Sequence, residues 1–301
     1  MNAPVLIFVY NRPEHTERLL QSLNACYGAD EHDLYIFSDA PKNNAAETKV
    51  QMVRKLIKEY SLESSFHKIE IIQSNVNKGL ANSIIDGVSK IINQYGTAIV
   101  LEDDLIVSND FLLYMQDALK YYADEQHVGA ISGYSVNIGK KRKKIGSNVY
   151  KSRTGNSWGW ATWVDRWKLA DWKVKDYEKF CIDRKARKNF ERQQCGIVEM
   201  LDRQMRGEID SWAVRWDYMF FRKGLWTIYP PQTKVANNGF DGSGVHCDKN
   251  SRELVQKVDC TKYQMVELDY CVDMTKVTSG NKWMEVIYRR LNVFKLIHDK
   301  R

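Results

Sequence analysis

The sequence predicts an α/β protein whose central, mostly parallel sheet is covered by helices on both faces. Two observations carry this reading. Short β-branched and aromatic runs recur through the first 132 residues, and the gaps between them hold segments with helical spacing. The runs are also apolar nearly throughout rather than alternating, as strands buried on both faces are.

Taken in order, the strands are expected at residues 5–10, 34–37, 69–72, 98–101 and 128–132. Helices are expected at 13–23, 45–60, 80–92 and 110–123. Pro13 suits a first helical position, where its missing N–H costs nothing. In the third helix Ile84, Ile85, Val88, Ile91 and Ile92 gather on one side. The pattern changes near Gly133. A basic loop (139–146) leads to Trp158, Trp160, Trp163, Trp167 and Trp172, five indoles within 15 residues. A polar helical stretch at 176–206 follows, then Trp212, Trp216, Trp226, a Pro230–Pro231 break and a glycine-rich run at 237–244. The last segment, 282–300, reads as an amphipathic helix. No repeat or linker interrupts the chain, so 1–275 is read as one domain followed by a basic tail, 276–301.

Composition narrows the classes. The 301 residues carry a net charge of +7 and a mean hydropathy of −0.50, and no apolar run is long enough to cross a membrane. Lys140–Lys144 reads KKRKK, and the tail from Lys276 holds seven basic against two acidic residues. Together they leave the rest of the chain slightly acidic. Localised charge of this kind suits an anionic surface rather than a nucleic-acid groove. The start is a poor secretory signal, and six scattered cysteines without a C-x-x-C pair read as reduced thiols. A cytoplasmic protein is expected.

Ligands of such sheets sit outside the carboxyl ends of the strands, so the strand ends are where chemistry is sought. The fourth strand ends in Glu102-Asp103-Asp104. Three adjacent carboxylates repel one another unless a cation joins them, and oxygen ligands of this kind suit Mg²⁺ or Mn²⁺. The first strand leads to Asn11 and Arg12 at a helix start, where backbone amides and a guanidinium can receive phosphate. The second leads to Asp39, able to accept hydrogen bonds from a base or ribose. Lys78 adds a cation before a third helix. Each of these, taken alone, is equally well a helix cap or a surface turn. No G-x-G-x-x-G, Walker A loop, G-x-S-x-G or H-E-x-x-H occurs.

Together LIFVYNRPEH, FSDAPKN, NVNKGLANSI, VLEDDLIVSNDFLLYM and GNSWGWATW resemble a GT-A-fold glycosyltransferase over roughly residues 4–245. The likeness is to bacterial polysaccharide sugar transferases related to the N-acetylglucosaminyltransferase I group. It implies a Rossmann-like GT-A sheet, with 1–132 as the nucleotide-sugar-binding half and 133–275 as the acceptor-binding half. It implies Mn²⁺ or Mg²⁺ held by Asp104, with His246 a candidate further ligand. Glu102 and Asp103 would lie beside the nucleotide sugar, together with Asn11, Arg12, Asp39 and Lys78. The acceptor would meet Trp158, Gly159 and Trp160, although at least half of the tryptophans are better read as core.

The family's general base falls on Asp217, with Asp210 the alternative. The resemblance further implies inverting transfer from a nucleotide-diphosphate sugar, a UDP-sugar foremost, to a glycan or lipid-linked oligosaccharide in bacterial surface polysaccharide synthesis. The basic terminal helix would touch anionic lipid at the inner face of the cell membrane. A sugar-phosphate nucleotidyltransferase or a non-catalytic carbohydrate-binding protein are the competing readings. The first lacks its glycine-rich, Arg-containing loop, and the second needs no acidic strand end.

Overall fold

The computed structural model describes residues 2–135, 147–239, 258 and 266–273. The KKRKK loop, His246 and the terminal helix of the sequence reading lie outside the described residues.

The five expected strands are present as β1 (Val5–Val9), β2 (Asp33–Ser38), β3 (Lys68–Gln73), β4 (Thr97–Glu102) and β6 (Val128–Ser132). Between them run α1 (Pro13–Asn24), α2 (Asn44–Glu63), α3 (Leu80–Tyr95) and α4 (Phe111–Tyr121). β4, β1, β2 and β3 are parallel neighbours. Val5, Ile7 and Val9 point to one face, where Leu19, Leu20, Leu23, Val53, Ile57 and Met115 cover them. Leu6 and Phe8 point to the other, against Ile84, Val88, Ile91 and Ile92 of α3. Burial on both faces explains why β1, β2 and β4 read as continuous apolar runs, while β3, at the sheet edge, is only partly buried.

Four further strands extend the same sheet. They are β7 (Asn148–Ser152), β8 (Trp160–Trp163), β9 (Trp226–Tyr229) and β11 (Glu267–Asp273), giving the order β11-β7-β9-β6-β8-β4-β1-β2-β3. β8 is antiparallel to both β4 and β6, so the tryptophan-rich run places a strand inside the sheet. No strand is legible there in the sequence, because a run so rich in indoles carries no clear alternation. β5 (Leu105–Val107) and β10 (Val235–Asn237) form a separate antiparallel ribbon.

The stretch 176–206 is not one helix. After the single turn α5 (Val164–Trp167) come α6 (Tyr177–Ile182), α7 (Arg184–Glu191) and α8 (Ile197–Met205). Asp183 ends α6 and caps α7 by accepting from the Ala186 amide, and Gly196 takes φ +80° before α8. α9 (Trp212–Lys223) is capped by Ser211, which accepts from Val214 N–H, and stops at left-handed Gly224. Its one side packs on the sheet and its other side on Phe180, Phe190 and Leu201.

A buried ion pair fixes the ribbon. Lys234 Nζ lies 2.5 Å from Asp110 Oδ2, both side chains are 1% exposed, and Ser108 donates to the other carboxylate oxygen. Removing one partner strands a charge in the interior. Lys234→Met is therefore expected to lower stability by about 3–5 kcal/mol in urea unfolding. The double variant Lys234→Met/Asp110→Leu should recover most of that loss, and a single variant as stable as the parent would contradict the pairing.

Candidate active site

The acidic triplet sits at the carboxyl end of β4, where Glu102 is the last strand residue, in register with Phe8 of β1. β1 ends one turn before α1, so Asn11 and Arg12 stand beside it. Arg12 Nη1 lies 3.1 Å from Asp104 Oδ2 and 3.6 Å from Asp103 Oδ1. The Tyr10 amide donates to Asp103 Oδ2 at 3.4 Å. Burial, and then repulsion from Asp104 and Asp103, push the Glu102 carboxyl up to about 8. Asp103 is pushed up to about 7 by burial and by Asp104, against the pull of Arg12. Trp212 donates its indole N–H to Glu102.

This donor set fits a hard divalent cation. It offers carboxylate oxygens only, crowded together with a single guanidinium to offset them. The space beside Asp104 is kept open by glycine, since a Cβ on Gly239 would lie 2.3 Å from Asp104 Oδ2. Gly239 is delivered there by the ribbon: Asn238 N–H donates to the Asp104 carbonyl at 2.8 Å, and Asn237 Oδ1 accepts from Gly239 N–H. Among the described residues no three His, Cys, Asp or Glu side chains are arranged to enclose an ion. Asp104 and Asp103 would hold one from a single side, leaving the remaining positions to a ligand or water.

A second corner forms where β2 ends. Asp39 is buried, and its carboxylate accepts from the amides of Ala40, Lys78 and Gly79 and from Asn77 Nδ2. Lys78 Nζ itself pairs with Asp86 at 2.8 Å on the exposed side of α3. Arg54 of α2, unmarked by any motif, donates to the carbonyls of Asp39 and Ser74.

The two candidate bases separate. Trp212 reaches Glu102, so α9 begins at the carboxyl edge of β4. Asp210, just ahead of it, is exposed and accepts from Ala81 N–H at 3.3 Å, at the start of α3. Asp217 lies five residues further along α9 and faces the segment that leads into β8. Its Oδ1 accepts from Gly155 N–H at 2.6 Å, and burial pushes its carboxyl up to about 7.

That shift has a sign. The folded group keeps its proton up to about 7 while the unfolded one ionises near 3.8, so stability is lost as pH rises between them. Asp217→Asn is expected to raise Tm at pH 8 and leave it nearly unchanged at pH 4. Equal shifts at both pH values would refute the burial.

Of the three expected acceptor residues, Trp160 requires correction. It is 0% exposed and packs against Trp167, Trp212 and Trp216, so its ring faces no solvent. Gly159 is likewise buried, with φ +64° and Val235 where a Cβ would point. Trp158 alone keeps a half-exposed ring, edge-on to Tyr134 with centroids 4.6 Å apart. Trp212 and Arg54 carry no motif, Asn77 falls within the NVNKGLANSI stretch without standing out there, and Gly239 belongs to the glycine-rich run.

The profile of glycosyl transferase family 2 matches residues 5–178, more than half of the chain, and the protein belongs to that family. Its sheet is the GT-A, Rossmann-like arrangement. Solved structures similar to it include a mannosyltransferase from Pyrobaculum calidifontis in complex with GDP-Man and Mn²⁺. The identity there is 13%, over 54% of this chain and 44% of that one, with a TM-score of 0.37. TarS from S. aureus in complex with UDP is 16% identical over 44% of this chain and 34% of that one, with a TM-score of 0.32. Mouse xyloside xylosyltransferase 1 is 10% identical over 73% of this chain and 81% of that one, with a TM-score of 0.35. The chain thus spans less than half the length of the first two. No curated protein matches it. Among the described residues no helix is long and apolar enough to cross a membrane.

Proposed function

We propose that the protein transfers a sugar, with inversion, from a nucleotide-diphosphate sugar to a hydroxyl of a glycan or lipid-linked acceptor. The observation that carries this is the acidic end of β4 facing Arg12, with a second carboxylate, Asp210, held nearby on the start of α3 in a family 2 chain.

Arg12 and the turn at Asn11 would receive the diphosphate, and the Asp39–Lys78 corner the nucleoside, with a UDP-sugar the first candidate. Lys78 would exchange Asp86 for a phosphate oxygen. When bound, Mn²⁺ or Mg²⁺ at Asp104, with Asp103 beside it, supplies positive charge to the departing diphosphate. Asp210 takes the proton of the acceptor hydroxyl as that oxygen attacks the anomeric carbon and the bond to the diphosphate oxygen breaks. Trp158 offers the acceptor an aromatic face. Asp210 is preferred over Asp217 because it stands at the carboxyl edge and is open to an acceptor. The second reading, Asp217 as base, is favoured by its carboxyl titrating near neutrality.

Bacterial surface polysaccharide synthesis, with peripheral membrane contact through the basic tail, completes the proposal on sequence grounds. Deleting 282–301 should then abolish salt-sensitive binding to anionic liposomes; binding unchanged by the deletion would remove the tail from the proposal.

Thermal unfolding with UDP or GDP, with and without Mn²⁺, tests the donor reading. A ligand at 100 times its Kd stabilises the native state by about 2.7 kcal/mol. A shift with nucleotide and Mn²⁺ together, followed by release of nucleoside diphosphate from a panel of nucleotide sugars, is expected. No shift with any nucleotide would sink the proposal.

A further inference from the structure

We infer that the outward face of α7, with Ile182 at its approach, is a docking surface for an anionic phospholipid bilayer. This face belongs to the folded body and is separate in sequence from the basic tail. It is independent of which carboxylate serves as the base.

α7 carries its charge on one side. Lys188 stands four residues from Arg184 and from Arg192 and three from Lys185, so all four share one exposed flank. The opposite flank holds Phe190, 0% exposed and packed against Phe180 and Tyr218. Arg187 turns from the cationic flank to Asp202, with Nη1 and Nη2 on its two oxygens at 3.0 and 2.6 Å.

The carboxylates of this segment are engaged elsewhere. Asp183 accepts from Ala186 N–H at 2.8 Å, and Glu191 accepts from Gly196 N–H at 2.5 Å and Val198 N–H at 3.2 Å. Asp176 pairs with Arg222 at 2.9 Å. Among the described residues Lys179, Arg184, Lys185, Lys188 and Arg192 have no carboxylate partner, and Glu178 is the one acid of the segment left to face them. The end of α8 is different, since Arg206 there is matched by Glu199 and Glu208. The α7 flank is thus a concentrated positive field that the fold does not neutralise.

Beside these charges an apolar side chain is held out in water. Ile182 ends α6, between Lys179 and Arg184, and is 83% exposed. A bilayer interface satisfies both features together: cations meet the anionic headgroups, while an apolar side chain and the lysine stems enter the acyl boundary. A nucleic acid or an acidic glycan would use the cations and leave Ile182 in water. The face also lies in the half of the chain proposed to bind the acceptor, whose lipid-linked form would be met at the same bilayer.

Co-sedimentation of the full chain with vesicles of equal parts phosphatidylglycerol and phosphatidylcholine tests the inference. Each cation near such a surface is worth roughly fivefold in partitioning, so Arg184→Gln/Lys185→Gln/Lys188→Gln should lower the partition coefficient by at least about tenfold. Contributions of separate cation clusters multiply, so this factor is lost whether or not the tail also touches lipid. A control of equal net charge, Lys49→Gln/Lys55→Gln/Lys58→Gln on exposed positions of α2, should lower it by less than about threefold, because charges held away from the membrane are screened. Ile182→Ser changes no charge and should lower it about threefold to tenfold, with the salt dependence kept. Vesicles of phosphatidylcholine alone should retain little of any of them, and Tm should be the same in all, since the exchanged side chains are exposed. Equal losses in the α7 and α2 variants would mean attraction by net charge alone and would overturn the inference, as would unchanged binding after the α7 exchange. Heparin binding that the α7 exchange removes, with vesicle binding intact, would assign the face to an acidic polymer and overturn it as well.

Discussion

Asp104→Asn is expected to cut sugar transfer by roughly 100- to 1,000-fold, the scale of losing one preorganised group that meets developing charge. Several features make the loss specific to chemistry. Asp104 is bound into the fold through its carbonyl, which accepts from Asn238 N–H at 2.8 Å, and the substitution leaves that bond intact. The side chain contributes one ion pair, to Arg12 at 3.1 Å, in a site that the exchange makes less crowded with negative charge. Tm without ligand should therefore hold, while the stabilisation that UDP gives in the presence of Mn²⁺ should shrink. Activity of the parent protein in EDTA equal to that in Mn²⁺ would defeat the metal-dependent reading. Glu102→Gln should cost less, since Glu102 accepts from Trp212 behind the two aspartates.

Asp210→Asn is expected to lower turnover about 100-fold or more, the scale of losing a general base, with little change in UDP affinity. Asn keeps an oxygen for the Ala81 amide, so the local structure should survive. The competing base makes a different forecast. If Asp217 takes the proton, kcat/KM should fall as pH drops below about 7, where its carboxyl gains a proton, and Asp217→Asn should carry the large loss. If Asp210 does, Asp217→Asn should retain most activity while gaining stability at pH 8. One pair of variants and one pH profile decide between them.

The parts that could be read from sequence were those whose signal is local. Strands buried on both faces must be apolar at every position, so β1, β2, β4 and β6 announced themselves, and the helix start at Pro13 followed from proline chemistry. The acidic triplet stood out because three adjacent carboxylates are costly. What could not be read depends on contacts between distant residues. Trp160 has the composition of a sugar platform, yet its place on β8, between β4 and β6, commits it to the core. Asp210 and Asp217 differ little as letters in a sequence. Only the fold shows that one stands at the start of α3 and the other against Gly155, ahead of β8. Arg54 and Asn77 acquire meaning solely from the carbonyls and the carboxylate they reach.

The packed indoles have an optical consequence. Trp160, Trp167, Trp172, Trp212 and Trp216 lie with neighbouring ring centroids 4.6–6.0 Å apart, close enough for their excited states to couple. One member of that stack, Trp212, is hydrogen-bonded to Glu102. Any change of charge at the end of β4 is therefore felt by a single coupled chromophore. Near-ultraviolet circular dichroism and intrinsic emission should follow occupancy of the site directly, without a label and without knowledge of the acceptor.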